Sequence, residues 1–136
     1  MEIHHLLGHD HGVLRLAALL GIPEEVHLHD YAWFCPRVTL IGTAGRYCGE
    51  PDDLRVCEAC IADSGRAIEE DISVAALRAR SARELGRARQ VTAPSADRAA
   101  RLRRNLPRIR PDLAPLEDAA ASLAACRDMA PPEPRP

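Results

Sequence analysis

Lysine is missing from this chain: its 18 cationic residues are all arginine, spread over 136 positions. We read that as the nucleotide bias of a GC-rich gene and not as chemistry. Aromatic residues make up only 3 %, so the stacking platforms on which single-stranded nucleic acids are held are absent. No sign of charge dominates either. The formal net charge is −2, which argues against nucleic acid as a partner. No apolar run approaches the roughly 20 residues of a bilayer span, so no transmembrane segment is expected. The start, Met1-Glu2-Ile3-His4-His5, lacks the basic and apolar regions of a secretory signal. A cytoplasmic location is the expectation. No internal repeat, collagen period or long heptad array is visible. Leu, Ile, Val and Phe together are 22 % of the chain, just above the level at which chains stay disordered, so the core should be lean.

What is present falls into three chemical zones. All six histidines precede residue 30, four of the five cysteines lie between 35 and 60, and six arginines without an acid run from Arg98 to Arg110. Glu2 to Leu7 is a candidate strand. Asp10 is a candidate helix N-cap, and Val13, Leu16, Ala17 and Leu20 then recur at helical spacing until Gly21 and Pro23. In Glu25 to Asp30, Val26 and Leu28 alternate with His27 and His29, which is strand periodicity. Strand, helix and strand in about 30 residues make a βαβ unit and imply parallel pairing. Val38 to Ile41 and Arg46 to Cys48 flank Gly42-Thr43-Ala44-Gly45 as a small hairpin.

A longer helix follows Ser73, with Val74, Leu77, Ser81, Leu85 and Ala88 on one face. Gln90 to Ala93 is a short strand. Ser95 caps a further helix carrying Ala99, Leu102 and Leu106, which Pro107 ends. The Arg98–Arg110 run is expected to be a solvated face of that helix. The Ala-rich stretch from Ala119 to Ala125 offers one weak helix, and the Pro-rich end is expected to be disordered.

Cys35, Cys48, Cys57 and Cys60 follow the spacing C-x12-C-x8-C-x2-C. Four thiolates this close can close a tetrahedral shell around one structural Zn²⁺, with Cys57 and Cys60 on a knuckle turn. Core-forming residues look sparse here, and a metal would supply the missing folding free energy. Reduced buried thiols, two disulfides or another metal are the alternatives; disulfides are disfavoured without a secretory signal. Cys126, far away, reads as an ordinary small apolar residue. His4, His5, His9 and His11 match no common ligand pattern. They line a cleft or sit in solvent, with a second metal site as the other reading. His29 ends a candidate parallel strand, where ligands of open α/β sheets bind, and can bond a hydroxyl or phosphate there. It can equally cap the strand or join a zinc shell.

The string from His29-Asp30-Tyr31 through Cys35-Pro36-Arg37, then Leu40, Tyr47-Cys48-Gly49-Glu50-Pro51 and Cys57-x-x-Cys60, resembles bacterial glycosyltransferases of the two-Rossmann-domain GT-B architecture, family-4-like. Ile3 to His9 and Val91-x-x-Pro94-Ser95-x-Asp97 are similar to flanking pieces of the same family. The resemblance implies an α/β fold with a partial Rossmann-like parallel sheet over residues 1–118. It implies a four-cysteine zinc-knuckle and hairpin insert at 31–63; beyond the match, the Ala- and Pro-rich residues 119–136 are expected from composition to be a largely disordered tail. It implies sugar transfer from a nucleotide-sugar donor to a saccharide acceptor, with a leaning toward retention. It places His29 and Asp30 as catalytic residues, and His5 and Ser95 as substrate-binding ones. Such enzymes grip the donor diphosphate with a second Rossmann half of about 100 residues or more. Only about 18 residues follow Asp118. The expectation is therefore a fragment or split-enzyme piece, inactive alone and completed by a separate chain or domain. A non-catalytic, zinc-stabilised protein-binding module is the alternative.

Overall fold

Alternation along three short stretches decides the architecture. Ile3, Val26, Leu28, Val91 and Ala93 are all under a tenth exposed, while Glu2, Glu25 and Gln90 between them face outward or lie at the rim. Strands with one apolar side and one polar side bury chiefly the first, although Thr92 of the third stretch is buried as well. The computed structural model describes residues 1–5, 7–9 and 12–114. In it, β1 (Glu2–Ile3), β2 (Glu25–His27), β3 (Gln90–Ala93) and β4 (Asp112–Leu113) form a parallel sheet in the order β1-β2-β3-β4. The expected βαβ start is there, with α1 (Gly12–Leu20) between β1 and β2. β1 is shorter than Glu2 to Leu7, and β4 has no counterpart in the sequence reading. Asp10 and His11, and everything from residue 115 onward, lie outside the described residues, including the Ala-rich stretch, Cys126 and the tail.

Between β2 and β3 run α2 (Leu54–Ser64) and α3 (Val74–Leu85); α4 (Ala96–Asn105) joins β3 to β4. α3 buries the stripe Val74, Leu77, Ser81 and Leu85 that its spacing predicts. α4 buries Ala99, Leu102 and Asn105. The Ser73 hydroxyl accepts from the Ala76 amide at 3.2 Å and satisfies one orphan donor of α3. Ser73→Ala is expected to cost about 1 kcal/mol. It should lower the thermal midpoint by roughly 4 °C, which a calorimetric scan checks; an unchanged midpoint would show that water caps the helix as well.

The apolar side of the sheet meets one core. It contains Leu85 of α3, Ala99, Leu102 and Leu106 from the α4 region, and Trp33, Phe34 and Leu40. The last three belong to the cysteine-rich stretch, which the sequence reading took to be short of core residues. The chain's single Trp and single Phe sit at 3 % and 2 % exposure at its start. Beyond Leu40, however, residues 41–60 contain one buried residue, and it is Glu50. α1 buries Ala17 and leaves Leu16 and Leu20 of its expected stripe more than half exposed, with Leu19 81 % exposed beside them. No helix among the described residues is long and apolar enough to cross a membrane.

Candidate functional site

Register places the histidines. Ile3 pairs with Val26 and His27 pairs with Thr92, so His4, one residue beyond Ile3, comes level with His27 and Thr92 in a row across three strands. All three lie on the side away from the apolar core by alternation. The His4 and His27 rings stack at 4.7 Å, and His27 Nδ1 shares a 2.8 Å hydrogen bond with Thr92 Oγ1. His29 lies two residues past the carboxyl end of β2. Its Nε2 shares a 2.9 Å hydrogen bond with His4 Nδ1, and the rings stack at 5.1 Å.

Arg98, on the first turn of α4, donates to the carbonyls of Leu28, at 3.3 Å, and of His29. Its guanidinium also sits 5.2 Å from the centre of the Tyr31 ring. Partial desolvation, then the neighbouring His4, His27 and Arg98, hold His29 below the ordinary imidazole range against the opposing pull of Asp30. A neutral imidazole is thus presented at the carboxyl edge of a parallel sheet, the place where open α/β sheets take ligands.

The other expected site residues are dispersed around this edge. Asp30 does not reach His29 by a hydrogen bond; its Oδ1 accepts from the Ala32 amide at 2.8 Å and shapes the turn after β2. Ser95 caps α4, its hydroxyl accepting from the Arg98 amide at 3.3 Å, so it shares the edge through Arg98. His5 is exposed, and His4, not His5, touches His29. The sequence signal for His4 was available in the strand alternation, which puts residues 2 and 4 on one side and 3 and 5 on the other.

The four cysteines line one cavity of about 610 Å³. All are unpaired by disulfide and half-buried. Cys35 and Cys48 flank the hairpin, whose strands meet through an Ile41–Tyr47 bridge and a 2.9 Å bond from the Cys48 amide to the Leu40 carbonyl. Cys57 and Cys60 are not on a knuckle turn. They sit one turn apart on α2, which Asp53 caps at its start and Gly65, with φ of 74°, caps at its end. Spacing of three residues puts both thiols on one helix face.

Burial pushes the Cys35 thiol up, and the nearby backbone amides of Arg37, Leu40 and Val38 pull it partly back; burial likewise raises Cys57. Val38 and Leu40 adopt left-handed backbone, with φ of 66° and 59°, and the Val38 amide donates to the Cys35 carbonyl at 2.8 Å. For non-glycine residues, a β-branched valine above all, that conformation is costly. The four sulfurs face a common space without being drawn into contact: among the described residues, the tight group of metal-ligating atoms is Glu2, His4 and His27, all within 4.8 Å of one another.

The arginine run divides. Arg103, Arg104, Arg108 and Arg110 are exposed as expected, but Arg98 and Arg101 turn inward. Arg101 bonds Asp97 Oδ2 at 2.8 Å, the Tyr47 hydroxyl at 2.8 Å and the Glu50 carboxylate, tying α4 to the hairpin. Asp97, then Tyr47 and Glu50, hold its guanidinium above the usual range. None of the protein-family models, curated proteins and solved structures compared with this chain matches it.

Proposed function

We propose that this chain is the acceptor-side half of a GT-B-like glycosyltransferase, which holds saccharide hydroxyls at His29 for transfer from a nucleotide-sugar donor. The observation that carries the reading is the convergence of His29, His4 and the Ser95–Arg98 turn at the carboxyl edge of the parallel sheet. Geometry there suits binding by position: an imidazole braced by a second imidazole, and an arginine fixed by two carbonyls, keep their orientation without a ligand. In this reading, a separate chain or domain with a second Rossmann-like fold grips the diphosphate. That half supplies most of the stabilisation of the leaving group. In this reading the four cysteines hold a structural zinc in the hairpin and α2. Closing such a shell would draw the sulfurs to about 2.3 Å from the ion.

Glucose, galactose, mannose and N-acetylglucosamine, added in turn at millimolar concentration to the isotope-labelled chain, test the reading by NMR. At least one should shift the His29, His4 and Ser95 resonances, and His29→Ala should remove the shifts while the remaining spectrum stays folded. Silence with every sugar, or shifts that survive His29→Ala, would overturn it. A second reading, the non-catalytic protein-binding module, is favoured by the exposed Leu16, Leu19 and Leu20 of α1. It predicts that His29→Ala is silent in every assay.

A further inference from the structure

The polar side of the sheet carries a chemistry that the saccharide reading does not use. We propose that Glu2, His4 and His27 form a binding site for one divalent cation of the zinc type, separate from the cysteine cavity and sharing only His4 with the saccharide reading. One ligand atom from each of the three residues lies within 4.8 Å of the other two. Glu2 and His4 project from one side of β1 at a spacing of two, and register sets His27 beside them on β2. Strand geometry therefore fixes Glu2 and His27, and His4 follows β1 by one residue, so no long loop has to close to assemble the set.

Each histidine is also oriented as a ligand should be. Metal-binding imidazoles use one nitrogen for the ion and commit the other to an outer partner that fixes ring and tautomer. His27 commits Nδ1 to Thr92 Oγ1 at 2.8 Å, and its Nε2 is buried without a hydrogen-bond partner among the described residues. A buried imidazole nitrogen left unpaired costs free energy, and a cation on Nε2 removes that cost. His4 commits Nδ1 to His29 Nε2 at 2.9 Å, leaving Nε2, which lies 3.7 Å from Glu2 Oε2, for the ion. Two imidazoles and one carboxylate suit zinc and its first-row neighbours better than magnesium or calcium, which prefer all-oxygen shells. Three protein ligands leave at least one position for water, the open kind of site. The site sits beside His29, whose ring becomes the outer partner of His4. Glu2 and His4 side chains are 67 % and 53 % exposed, so the ion can enter directly from solvent.

Zn²⁺ titration of the full chain, carrying no histidine tag and followed by calorimetry and native mass spectrometry, tests this. Wild type should bind one equivalent that His4→Ala and Glu2→Gln each weaken at least about tenfold. Thr92→Val should weaken the same equivalent by about 10-fold or more, the range for loss of an outer hydrogen bond. Because His4 and Glu2 are exposed, both variants should keep the wild-type circular dichroism. Co²⁺ in this site should give d–d absorption without thiolate-to-metal charge transfer, which separates it from any ion on the cysteines. Identical titrations for wild type, His4→Ala and Glu2→Gln, or cobalt spectra showing sulfur ligation alone, would overturn the proposal.

Discussion

On the proposed reading that the four cysteines hold a zinc ion, chelation of that metal, or Cys48→Ser, is expected to release the segment from Tyr31 to Ser64 and move the emission of Trp33 to that of solvent-exposed indole. Trp33 is the only tryptophan and is 3 % exposed, so the signal has one source. The reason lies in how unevenly the segment is held. Its apolar anchors are Ala32, Trp33, Phe34, Val38 and Leu40 at one end and Ile61 near the other. Between them, residues 41–60 bury no apolar side chain. Fixing each of those residues costs about 1–2 kcal/mol of backbone entropy, and left-handed backbone at Val38, Leu40 and Glu50 adds on the order of 1–3 kcal/mol each. A structural zinc in small domains contributes about 10–16 kcal/mol of apparent folding free energy, which is the right scale to offset such a deficit. The predicted loss is several kcal/mol in a urea titration, with a smaller denaturant slope as the segment is already open. Trp33 emission unmoved by both treatments would mean that the four thiols are ordinary side chains around a cavity, and that the hairpin stands on the Trp33 core and the Glu50 network alone.

Much of this arrangement could be read from the chain itself, and the failures have physical causes. The Val26/Leu28 against His27/His29 alternation told which side of β2 is buried because one face of this sheet has a core and the other does not. α3 was legible because Val74, Leu77, Ser81 and Leu85 repeat over three turns with a serine cap. α2 was not. Its sequence, Leu54 to Ser64, buries Ile61 alone, so it carries almost no apolar stripe, and its Asp53 cap is a local signal that the cysteine spacing overshadowed. β4 is two residues long and both are exposed, so hydrophobic pattern could not mark it. Tertiary contact also overrode local expectation at Arg101. On a helical wheel it looks solvated, yet a buried carboxylate 51 residues earlier recruits it.

Glu50→Ala should destabilise the chain by about 3 kcal/mol, the low end of the range for removing one partner of a buried ion pair. The Glu50 side chain is only 2 % exposed. Its Oε1 accepts from the Tyr47 hydroxyl at 2.6 Å and from Arg101, and its Oε2 accepts from Asn105 Nδ2 at 2.7 Å. Every oxygen of the carboxylate is thus satisfied from α4 or the hairpin, and truncation leaves three donors with fewer acceptors, of which Asn105 is buried while Arg101 and Tyr47 keep access to water. Arg101 keeps Asp97, and Asn105 keeps the Arg101 carbonyl at 3.0 Å, which is why the larger values in that range are not expected. Glu50→Gln preserves shape but turns an N–H toward one of these donors, at a cost of about 1–3 kcal/mol for the mispaired group. Backbone supplies an internal control. Glu50 adopts φ of 51°, so Glu50→Gly relieves left-handed strain and should be about 1 kcal/mol less damaging than Glu50→Ala. Paired with Asn105→Ala in a double-mutant cycle, Glu50→Ala should show a coupling of at least about 0.5 kcal/mol. Additive losses, or a Glu50→Ala cost under about 1 kcal/mol in equilibrium urea unfolding, would mean that α4 and the hairpin are joined by the Trp33–Leu102 core and not by this carboxylate.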